Sequence, residues 1–552
     1  MEDELFIGID VGTGSVRGCL VNKNGHILKT CVKEIKTYNP QPDFYQQSSE
    51  EIWDACCFVV KKVTSDVDAN KVKGIGFDAT CSLVAIDKNG KAVSISPTGE
   101  NDLNIILWLD HRASKEADFI NSTNHPCLKQ VGGQISLEME IPKLLWLKNN
   151  LNKQCWEKAD KFFDLPDFLT WKATGCDSRS LCSVVCKWLY EASTKGAGWN
   201  QDFLNIVGLE DLTQNNYYKI GNTIKAPGEP CGNGLSKISA QELNLIPGTA
   251  VGTSIIDAHA GGLGLLGCKV LGITSSFSTR LSMICGTSTC HMAVNEEEIF
   301  VKGIWGPYFS AMVPGMWLNE AGQSATGILV DHIINSHPAT EGIKHKIGQS
   351  IMIVQYLNNL LEKLALKDSV KVDTLTKDIH MVPDFHGNRS PLADHSLRGM
   401  ITGLDLNSGE EQLAIVYLAT LQALAYGAKH IIEVLQEGGY KNFECILICG
   451  GLSKNELFVK TLANVASIAV LVPNNPESVL LGSAMLGATA AKSFPDLRET
   501  VLNMAGGAIV VQPTPNIIQY HEKKYLVFKK MLSDQKAYRK LMAVNPKEVY
   551  EN

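Results

Sequence analysis

The first turn of the chain combines the residue types that bind phosphate. Residues 6–9 form an apolar run that leads, after Asp10 and Val11, into small hydrogen-bond donors, which are Gly12, Thr13, Gly14 and Ser15. Glycines let the backbone turn tightly and approach a ligand closely, and backbone amides and hydroxyl groups donate hydrogen bonds to phosphate oxygens. The pattern therefore predicts a strand that ends in a phosphate-binding turn.

Asp10 stands just before this turn, where a bare carboxylate would repel a phosphate. A metal ion between the two groups would remove the repulsion, so Asp10 is a candidate metal ligand. Two common phosphate loops are excluded: the dinucleotide fingerprint needs glycine where Arg17 stands, and the Walker loop needs a lysine, whereas the first lysine is Lys23. A plain β-hairpin remains an alternative, because Asp-Val-Gly-Thr-Gly is also favourable turn chemistry.

Two later turns repeat this arrangement. The apolar run 281–285 enters the sequence Gly-Thr-Ser-Thr at 286–289, and the apolar run 445–449 ends in Gly450 and Gly451. In an α/β domain the ends of neighbouring strands converge, and ligands bind there. Three turns of this kind in one chain favour a phosphate site built from several strand ends.

Asp257 follows a short apolar segment and precedes the small residues 258–262. Taken alone, this pattern favours an aspartate that caps the helix after it. A carboxylate can also accept the proton of a hydroxyl group that attacks a phosphate, and it can orient that hydroxyl group. Both interpretations stay open at this point.

The composition is that of a globular protein with small-molecule partners. The chain has 552 residues, 45% of them hydrophobic, which is too long for one core and predicts at least two large domains. The net charge of −7, without long runs of one sign, argues against nucleic acid and anionic membrane as partners. No uninterrupted apolar stretch reaches about 18 residues, so no membrane span is expected.

The cysteines and the first residues of the chain predict a cytoplasmic location. The 16 cysteines lie mostly in apolar runs without any Cys-x-x-Cys pair, which is typical of reduced core thiols. Residues 1–4 are acidic where a targeting peptide would be basic. The sequence leaves the oligomeric state open.

The elements that must position the candidate residues begin in the order β-β-β-α-β. The predicted strands are 5–10, 16–21, a third after the turn at 22–25, then 72–77 and 82–86, with a helix at 49–63. Prolines near their starts indicate helices at 141–147 and 165–175, and the small residues 482–491 predict a helix suited to close backbone packing. The predicted domains are 1–265 and 266–552.

These motifs together resemble those of the FGGY carbohydrate kinases. Residues 8–15 are similar to the first phosphate motif, 285–288 to the second and 450–455 to the adenosine motif, in the family's order. Two further signatures are similar to Lys-Leu-Leu-Trp at 143–146 and to residues 399–404 followed by 419–427, the last of these an approximate match. The resemblance covers nearly the whole chain. It implies an α/β fold of two actin-like, ribonuclease-H-like domains with mixed β-sheets that flank a central cleft, the sugar on the first domain, and ATP on the second, which ends in a helical tail.

The resemblance also implies the roles of individual residues. Taken alone, Asp257 is better explained as a helix cap, but in the resemblance it takes the position of the family's catalytic base. ATP and its phosphates are expected at Gly12, Thr13, Gly14, Ser15, Arg17, Gly286, Thr287, Ser288, Gly450, Gly451 and Asn455. The sugar is expected at Cys81, Asp110, Lys187, Asp257 and Glu320, and Mg²⁺ at Asp10 and Asp257.

The substrate is indicated by a departure from the family pattern. Asp78-Ala-Thr80 stands where many xylulose and glycerol kinases have a Gly-Gln type motif, and it is similar to the ribulokinase branch. D-ribulose is therefore the expected substrate, with L-ribulose, ribitol and xylulose as alternatives. For Asp110 and Arg112 a surface ion pair is an equal alternative to a place beside the sugar. An actin-like or chaperone-like ATPase without a sugar substrate is the alternative of another class.

Overall fold

The computed structural model describes residues 4–100, 102–348 and 352–543. These residues divide into two compact units. Unit 1 contains the described residues of Met1–Ser282, Met292–Glu320 and Pro473–Ala508, and unit 2 contains those of Met283–His291, Ala321–Val472 and Ile509–Asn552. The sequence predicts one domain boundary, between residues 265 and 266. Unit 1 also contains two segments that lie after this boundary, 292–320 and 473–508. The predicted boundary stays a prediction.

The strands are short and distributed over the whole described chain. They are β1 Leu5–Val11, β2 Ser15–Asn22, β3 Ile27–Glu34, β4 Gln46–Gln47, β5 Val72–Ala79, β6 Leu83–Ile86, β7 Ile105–Ile106, β8 Lys161–Asp164, β9 Arg179–Ser180, β10 Glu191–Ser193, β11 Gly196–Gly198, β12 Ile224–Lys225, β13 Ala250–Val251, β14 Ile255–Ile256, β15 Arg280–Cys285, β16 Thr289–Asn295, β17 Trp305–Phe309, β18 Trp317–Gln323, β19 His380–Val382, β20 Met400–Thr402, β21 Cys445–Gly450, β22 Ala469–Pro473 and β23 Ala508–Val511.

The helices complete a mixed α/β architecture. They are α1 Ser49–Val63, α2 Ser114–Ser122, α3 Glu140–Asn150, α4 Leu165–Thr174, α5 Leu181–Lys187, α6 Gln201–Ile206, α7 Gln214–Tyr217, α8 Lys237–Leu243, α9 Asp257–Leu266, α10 Gly327–Ser336, α11 Thr340–Ile347, α12 Ile353–Lys367, α13 Glu410–Glu437, α14 Glu456–Ala466, α15 Ser478–Ala490, α16 Leu497–Met504 and α17 Pro515–Leu541.

The main sheet of unit 1 is mixed. Its strands run in the order β13-β5-β1-β2-β3, with β14 also paired to β5. The central strand β1 is antiparallel to β2 and parallel to β5. The predicted β-β-β-α-β order of the first 86 residues is confirmed, because β1, β2, β3, α1 and β5 follow one another apart from the two-residue strand β4.

Glycines let helix α15 lie directly on this sheet. A Cβ atom at Gly8 of β1, or at Gly74 or Gly76 of β5, would overlap a backbone carbonyl oxygen of α15. On the opposite face α1 packs on the sheet, and a Cβ at Gly18 would lie 2.8 Å from Val59 Cγ2. The predicted role of the small residues near 482 in close backbone packing is therefore confirmed, and the sheet is covered on both faces.

Unit 2 is built around the long helix α13. It packs against α12, α14 and α17, and most of its residues are buried. Among the described residues, α13 is the one helix that is long and apolar enough to cross a membrane. However, 83% of its most apolar 18-residue segment is buried inside the structure. Core helices of globular proteins pass the same test, so this is weak evidence for a membrane.

The C-terminal helix α17 packs on its own unit, a point that the sequence leaves open. His521 is buried and connects two other elements: its Nδ1 lies 2.9 Å from the Tyr426 hydroxyl group, and its Nε2 lies 2.8 Å from Asp373 Oδ1. Lys524 donates to the Thr376 carbonyl oxygen at 2.6 Å. These buried polar contacts make α17 part of the unit 2 core.

Candidate active site

The first candidate turn joins β1 to β2 as a hairpin, closed by a 3.0 Å hydrogen bond from the Gly12 amide to the Ser15 carbonyl oxygen. Thr13 is held by donors from other parts of unit 1: Trp108 Nε1 donates to its hydroxyl oxygen at 3.0 Å, and Gln47 Nε2 donates to its carbonyl oxygen at 2.8 Å. The turn is a hairpin, as the alternative interpretation proposed, and Gly14 is exposed at its tip. The hairpin is therefore confirmed, and phosphate binding at the same turn stays a prediction.

Arg17 is committed to two carboxylates. Its guanidinium donates through Nε to Asp10 Oδ2 at 2.7 Å, makes a second bond to the same oxygen through Nη2, and donates through Nη1 to Glu477 Oε2 at 3.0 Å. Asp10 is buried, so the guanidinium partly balances a charge that burial would otherwise disfavour. The geometry makes Arg17 a residue that orients Asp10; its direct contact with ATP phosphate stays a prediction.

Asp78 forms a carboxylate cluster with Asp10 and Asp257. Parallel pairing of β1 and β5 sets Asp10 opposite Asp78. Both Asp78 carboxylate oxygens are buried and have no hydrogen-bond partner among the described residues. Burial, followed by the charges of Asp10 and Asp257, raises the pKa of Asp78 well above its ordinary value. Mg²⁺ prefers oxygen ligands, and the Asp78 carboxylate offers two that no group of the described residues occupies, so this cluster of carboxylates fits that ion.

Asp257 is the first residue of α9, directly after the strand β14. Its side chain is partly exposed, and its Oδ1 accepts a 2.7 Å hydrogen bond from the Ala258 amide. Burial and then the charge of Asp10 raise the pKa of Asp257 to about 7. A carboxylate of raised pKa that solvent can reach suits a general base better than a carboxylate that only caps a helix.

Lys187 is buried beside an aromatic ring and within the electrostatic influence of the buried Glu320. The Lys187 ammonium nitrogen lies 4.6 Å from the centre of the Trp305 ring, and β17 places Trp305 opposite Glu320 of β18. Burial alone would lower the pKa of Lys187, but the Glu320 carboxylate and neighbouring groups raise it well above its ordinary value. Lys187 is therefore held as a cation, and its contact with sugar hydroxyl groups stays a prediction.

Cys81 and Asp110, the other predicted sugar contacts, are both buried. The Cys81 thiol is shielded by its surroundings, and burial raises its pKa well above the ordinary value. Both Asp110 oxygens accept from Arg112, through Nε at 2.9 Å and Nη2 at 2.7 Å, and the Tyr45 amide adds a bond of 2.6 Å. The alternative of a surface ion pair for Asp110 and Arg112 is wrong, because both side chains are buried. Contact of Cys81 or Asp110 with sugar stays a prediction.

Unit 2 brings its two predicted turns together. The turn after β15 is closed by a 2.8 Å bond from the Gly286 amide to the Ser288 carbonyl oxygen, and Gly286 and Thr287 are exposed. Gly450 has a φ of 90° at the end of β21, where a Cβ atom would overlap the Cys285 carbonyl oxygen. Only glycine fits such a close approach in the left-handed region. The two turns are therefore adjacent.

Asn455 has a structural role beside its predicted contact with adenosine. Its side chain caps α14 by accepting from the Phe458 amide at 3.4 Å, and it donates to the Tyr417 hydroxyl oxygen at 2.7 Å. Asn358 donates to its Oδ1 at 3.1 Å. The amide is held firmly at the start of the helix, and its contact with nucleotide stays a prediction.

Comparison with known proteins identifies the chain. A model of the FGGY family of carbohydrate kinases, N-terminal domain, matches residues 5–211, and the corresponding C-terminal domain model matches residues 281–491. The chain belongs to the FGGY family of carbohydrate kinases. Kinases of this family use ATP as a substrate, generally with Mg²⁺. The resemblance found in the sequence motifs is thus confirmed, and the chain is a carbohydrate kinase.

Individual relatives of this FGGY kinase agree with the assignment. It is 48% identical to the human FGGY carbohydrate kinase domain-containing protein over 98% of both chains. It is 41% identical to a D-ribulokinase of Saccharomyces cerevisiae, over 90% of this chain and 73% of the yeast protein. The crystal structure of a gluconate kinase from Lactobacillus acidophilus has the same fold, with a TM-score of 0.79 at 17% identity over 98% of this chain and 99% of that one. The predicted two-domain actin-like fold with mixed sheets is confirmed.

Four site residues were not among the predicted ligands. Asp78 and Trp305 come from distant strands, while Trp108 and Glu477 fix the residues of the first turn. For Asp78 a signal is present in its Asp-x-Thr motif, which predicts the substrate and not a carboxylate cluster. Trp108 stands two residues before Asp110, in a motif that does not predict its contact with Thr13. Trp305 and Glu477 carry no local motif that predicts their contacts.

We expect Lys187→Met to lower kcat/KM for the sugar roughly 10- to 100-fold, because a buried, charged hydrogen-bond donor is lost. The KM for ATP should change little. Lys161→Met is the matched control: Lys161 also pairs with a carboxylate, Asp177 at 2.7 Å, and lies 3.5 Å from the centre of the Tyr218 ring. Steady-state kinetics on both variants measures kcat/KM for the sugar. Equal values in Lys187→Met and Lys161→Met would contradict the contact of Lys187 with the sugar.

Proposed function

We propose that this kinase phosphorylates a pentulose and that its substrate is D-ribulose, which it converts with ATP into D-ribulose 5-phosphate and ADP. The kinase class rests on family membership. The choice of sugar is supported by the 41% identity to the protein named D-ribulokinase in yeast. The Lys187–Glu320 pair beside Asp257 supports a polyol substrate, because its charged groups can pair with several hydroxyl groups.

In the proposed reaction the sugar hydroxyl oxygen forms a bond to the γ-phosphorus of ATP. The bond from that phosphorus to the bridging oxygen breaks, and ADP carries its electrons away. Asp257 accepts the hydroxyl proton, and it can do so because its carboxylate is partly exposed at the start of α9. Lys187 and Glu320 orient the sugar, so that much of the rate comes from positioning.

The phosphates of ATP are assigned to the glycine-rich turns. In unit 2 the exposed Thr287 is proposed to donate to phosphate, and the adjacent turn at Gly450 is proposed to lie against the adenosine. In unit 1 the exposed Gly14 of the β1–β2 turn is proposed to donate to phosphate. Asp10, Asp78 and Asp257 would hold Mg²⁺. Bound with ATP, this ion neutralises negative charge on the phosphoryl group.

A substrate panel tests this proposal. ATP consumption is measured with D-ribulose, L-ribulose, xylulose, ribitol and a hexulose, each at the same concentration. We expect D-ribulose to show the highest kcat/KM and the product to carry its phosphate on the terminal carbon, C5. If another member of the panel had a higher kcat/KM, that compound would replace D-ribulose as the proposed substrate. If none of the sugars were phosphorylated, the proposal as a whole would be contradicted.

We also propose that the protein works in the cytoplasm. Many of its cysteines are buried thiols, and burial raises the pKa of Cys19 and of Cys155 to about 12, so they are unreactive in a reducing compartment. Fractionation of cells that produce the protein tests this location. Recovery in an organelle lumen would contradict it.

A further inference from the structure

Cys182, Cys186 and His259 form a buried cluster of metal-ligand type in unit 1. Their ligand atoms all lie within 4.8 Å of one another, and all three residues are buried. The cysteines are four residues apart on α5, so their side chains share one face of that helix. His259 comes from α9. The cluster therefore joins two helices, and none of its members is among the residues predicted to bind ATP, sugar or Mg²⁺.

The separations match those between ligands of one tetrahedral metal ion. A zinc ion with bonds of about 2.3 Å to sulfur and about 2.05 Å to nitrogen places those two atoms about 3.6 Å apart. Cys186 Sγ and His259 Nε2 are 3.6 Å apart. His259 Nε2 and Glu320 Oε2 are also 3.6 Å apart. In the absence of an ion the sulfur and nitrogen atoms are within hydrogen-bond distance for a thiol, and the same separation suits two ligands of one zinc ion.

His259 faces the other members of the cluster through its Nε2 atom, 3.6 Å from Cys186 Sγ and 3.6 Å from Glu320 Oε2. The ring is fully buried. Its other nitrogen, Nδ1, has no hydrogen-bond partner among the described residues, and zinc on Nε2 would fix the ring proton on Nδ1. The position of Nε2 between a thiol and a carboxylate is therefore the observation that points to a metal ligand.

We propose that Cys182, Cys186 and His259 bind a zinc ion, with the carboxylate of Glu320 as the fourth ligand. Two thiolates and one carboxylate around Zn²⁺ leave one negative charge, which the neighbouring Lys187 ammonium balances. Each thiol that becomes a ligand releases its proton to the solvent. Sulfur ligands select zinc and similar soft ions over Mg²⁺, which takes oxygen ligands, so the Mg²⁺ used with ATP does not compete.

Zinc at this cluster would oppose sugar binding, a consequence that rests on the proposed function. Glu320 is a predicted sugar contact, and as a zinc ligand it is no longer available to a hydroxyl group. Cys186 precedes Lys187 in the chain, and His259 follows Asp257 by two residues. The bound ion therefore acts directly on the elements that carry the sugar contacts.

Cobalt substitution tests the binding without any kinase assay. The full chain is dialysed against a chelator and titrated with Co²⁺. We expect one equivalent to bind, with the absorption of a tetrahedral ion and an intense thiolate-to-cobalt charge-transfer band, and Zn²⁺ should abolish the spectrum while Mg²⁺ should not. An octahedral cobalt spectrum, or the absence of a charge-transfer band, would overturn the site. Both results are obtained with the unsubstituted protein, so they do not depend on whether a variant folds.

Matched serine variants locate the ion. Cys182→Ser should lose the charge-transfer intensity of one thiolate and bind Zn²⁺ at least tenfold more weakly. Cys231→Ser is the control, because Cys231 is also buried and lies beside the hydroxyl groups of Thr253 and Ser178, at 3.3 Å and 3.7 Å. Its metal binding should equal that of the unsubstituted chain. Equal spectra in the two variants would overturn the assignment.

Kinetics then test the fourth ligand. The zinc-loaded protein, assayed with Mg²⁺ and ATP, should show a sugar KM raised roughly tenfold over that of the metal-free protein. An unchanged sugar KM with zinc bound would remove Glu320 from the site. If the protein turned over no sugar at all, the proposed function would fail, while the cobalt spectrum would still decide the zinc site.

Discussion

Replacing Asp257 by asparagine should lower kcat for sugar phosphorylation by about 10²- to 10⁴-fold, the usual contribution of a general base. Asparagine keeps the size of the side chain but cannot accept the proton of the attacking hydroxyl group. Because the same position can still contact the sugar, the sugar KM should change much less than kcat. Steady-state and single-turnover kinetics with saturating ATP measure both quantities.

Asp167→Asn is the matched control for this variant. Asp167 is another aspartate of unit 1 whose pKa burial raises to about 7, but unlike Asp257 it is fully buried. It accepts from the Ser180 amide at 2.8 Å and from the Ser254 hydroxyl group at 3.0 Å. These bonds give it a structural role, so its variant should lose stability with kcat changed only a few-fold. If Asp257→Asn kept the kcat of the unsubstituted protein, Asp257 would not be the base.

Replacing Gly482 by alanine should destabilise the protein by about 3 kcal/mol or more, because a Cβ atom at this position would overlap the Ala260 carbonyl oxygen. The obstacle is the backbone of α9, which cannot rotate away as a side chain can. Helix α15 would have to move off both α9 and the sheet. The free energy of unfolding, measured by urea denaturation, gives the size of the effect.

Gly342→Ala is the matched control, since it is the same substitution inside another helix. Gly342 lies in α11 and is exposed, and a Cβ atom there would have no neighbour within 4 Å. Alanine in an open helical position should stabilise the protein by about 0.5–1 kcal/mol. The two changes should therefore have opposite signs. A stability loss at Gly482 no larger than at Gly342 would contradict the close packing of α15.

Predictions that depend on local sequence pattern agree closely with the structure. The helix predicted at 49–63 is α1, and its N-cap residue Ser48 accepts a hydrogen bond from the Glu51 amide. The helix predicted at 165–175 is α4, which begins with a proline near its start and ends at Gly175 with a φ of 74°. Hydrophobic periodicity, caps and glycine stops act over a few residues, so they can be recognised without the fold.

Where residues meet from distant parts of the chain, local pattern carried no signal. Lys187 stands in a motif, yet its aromatic neighbour Trp305 and its carboxylate Glu320 come from a hairpin more than 100 residues later. Glu477, which binds Arg17, follows it by 460 residues. Such contacts depend on chain folding and not on spacing.

By itself the sequence determined the strand–turn motifs, the helix that carries Asp257 and the family, because all of these depend on residue types at short spacing. The tertiary structure alone decided that Asp78 joins Asp10, that Asp110 is buried with Arg112, and that residues 473–508 belong to unit 1. The physical reason is the same in each case. Strand register and backbone contact at glycines bring these groups together, and both are set by packing across hundreds of residues.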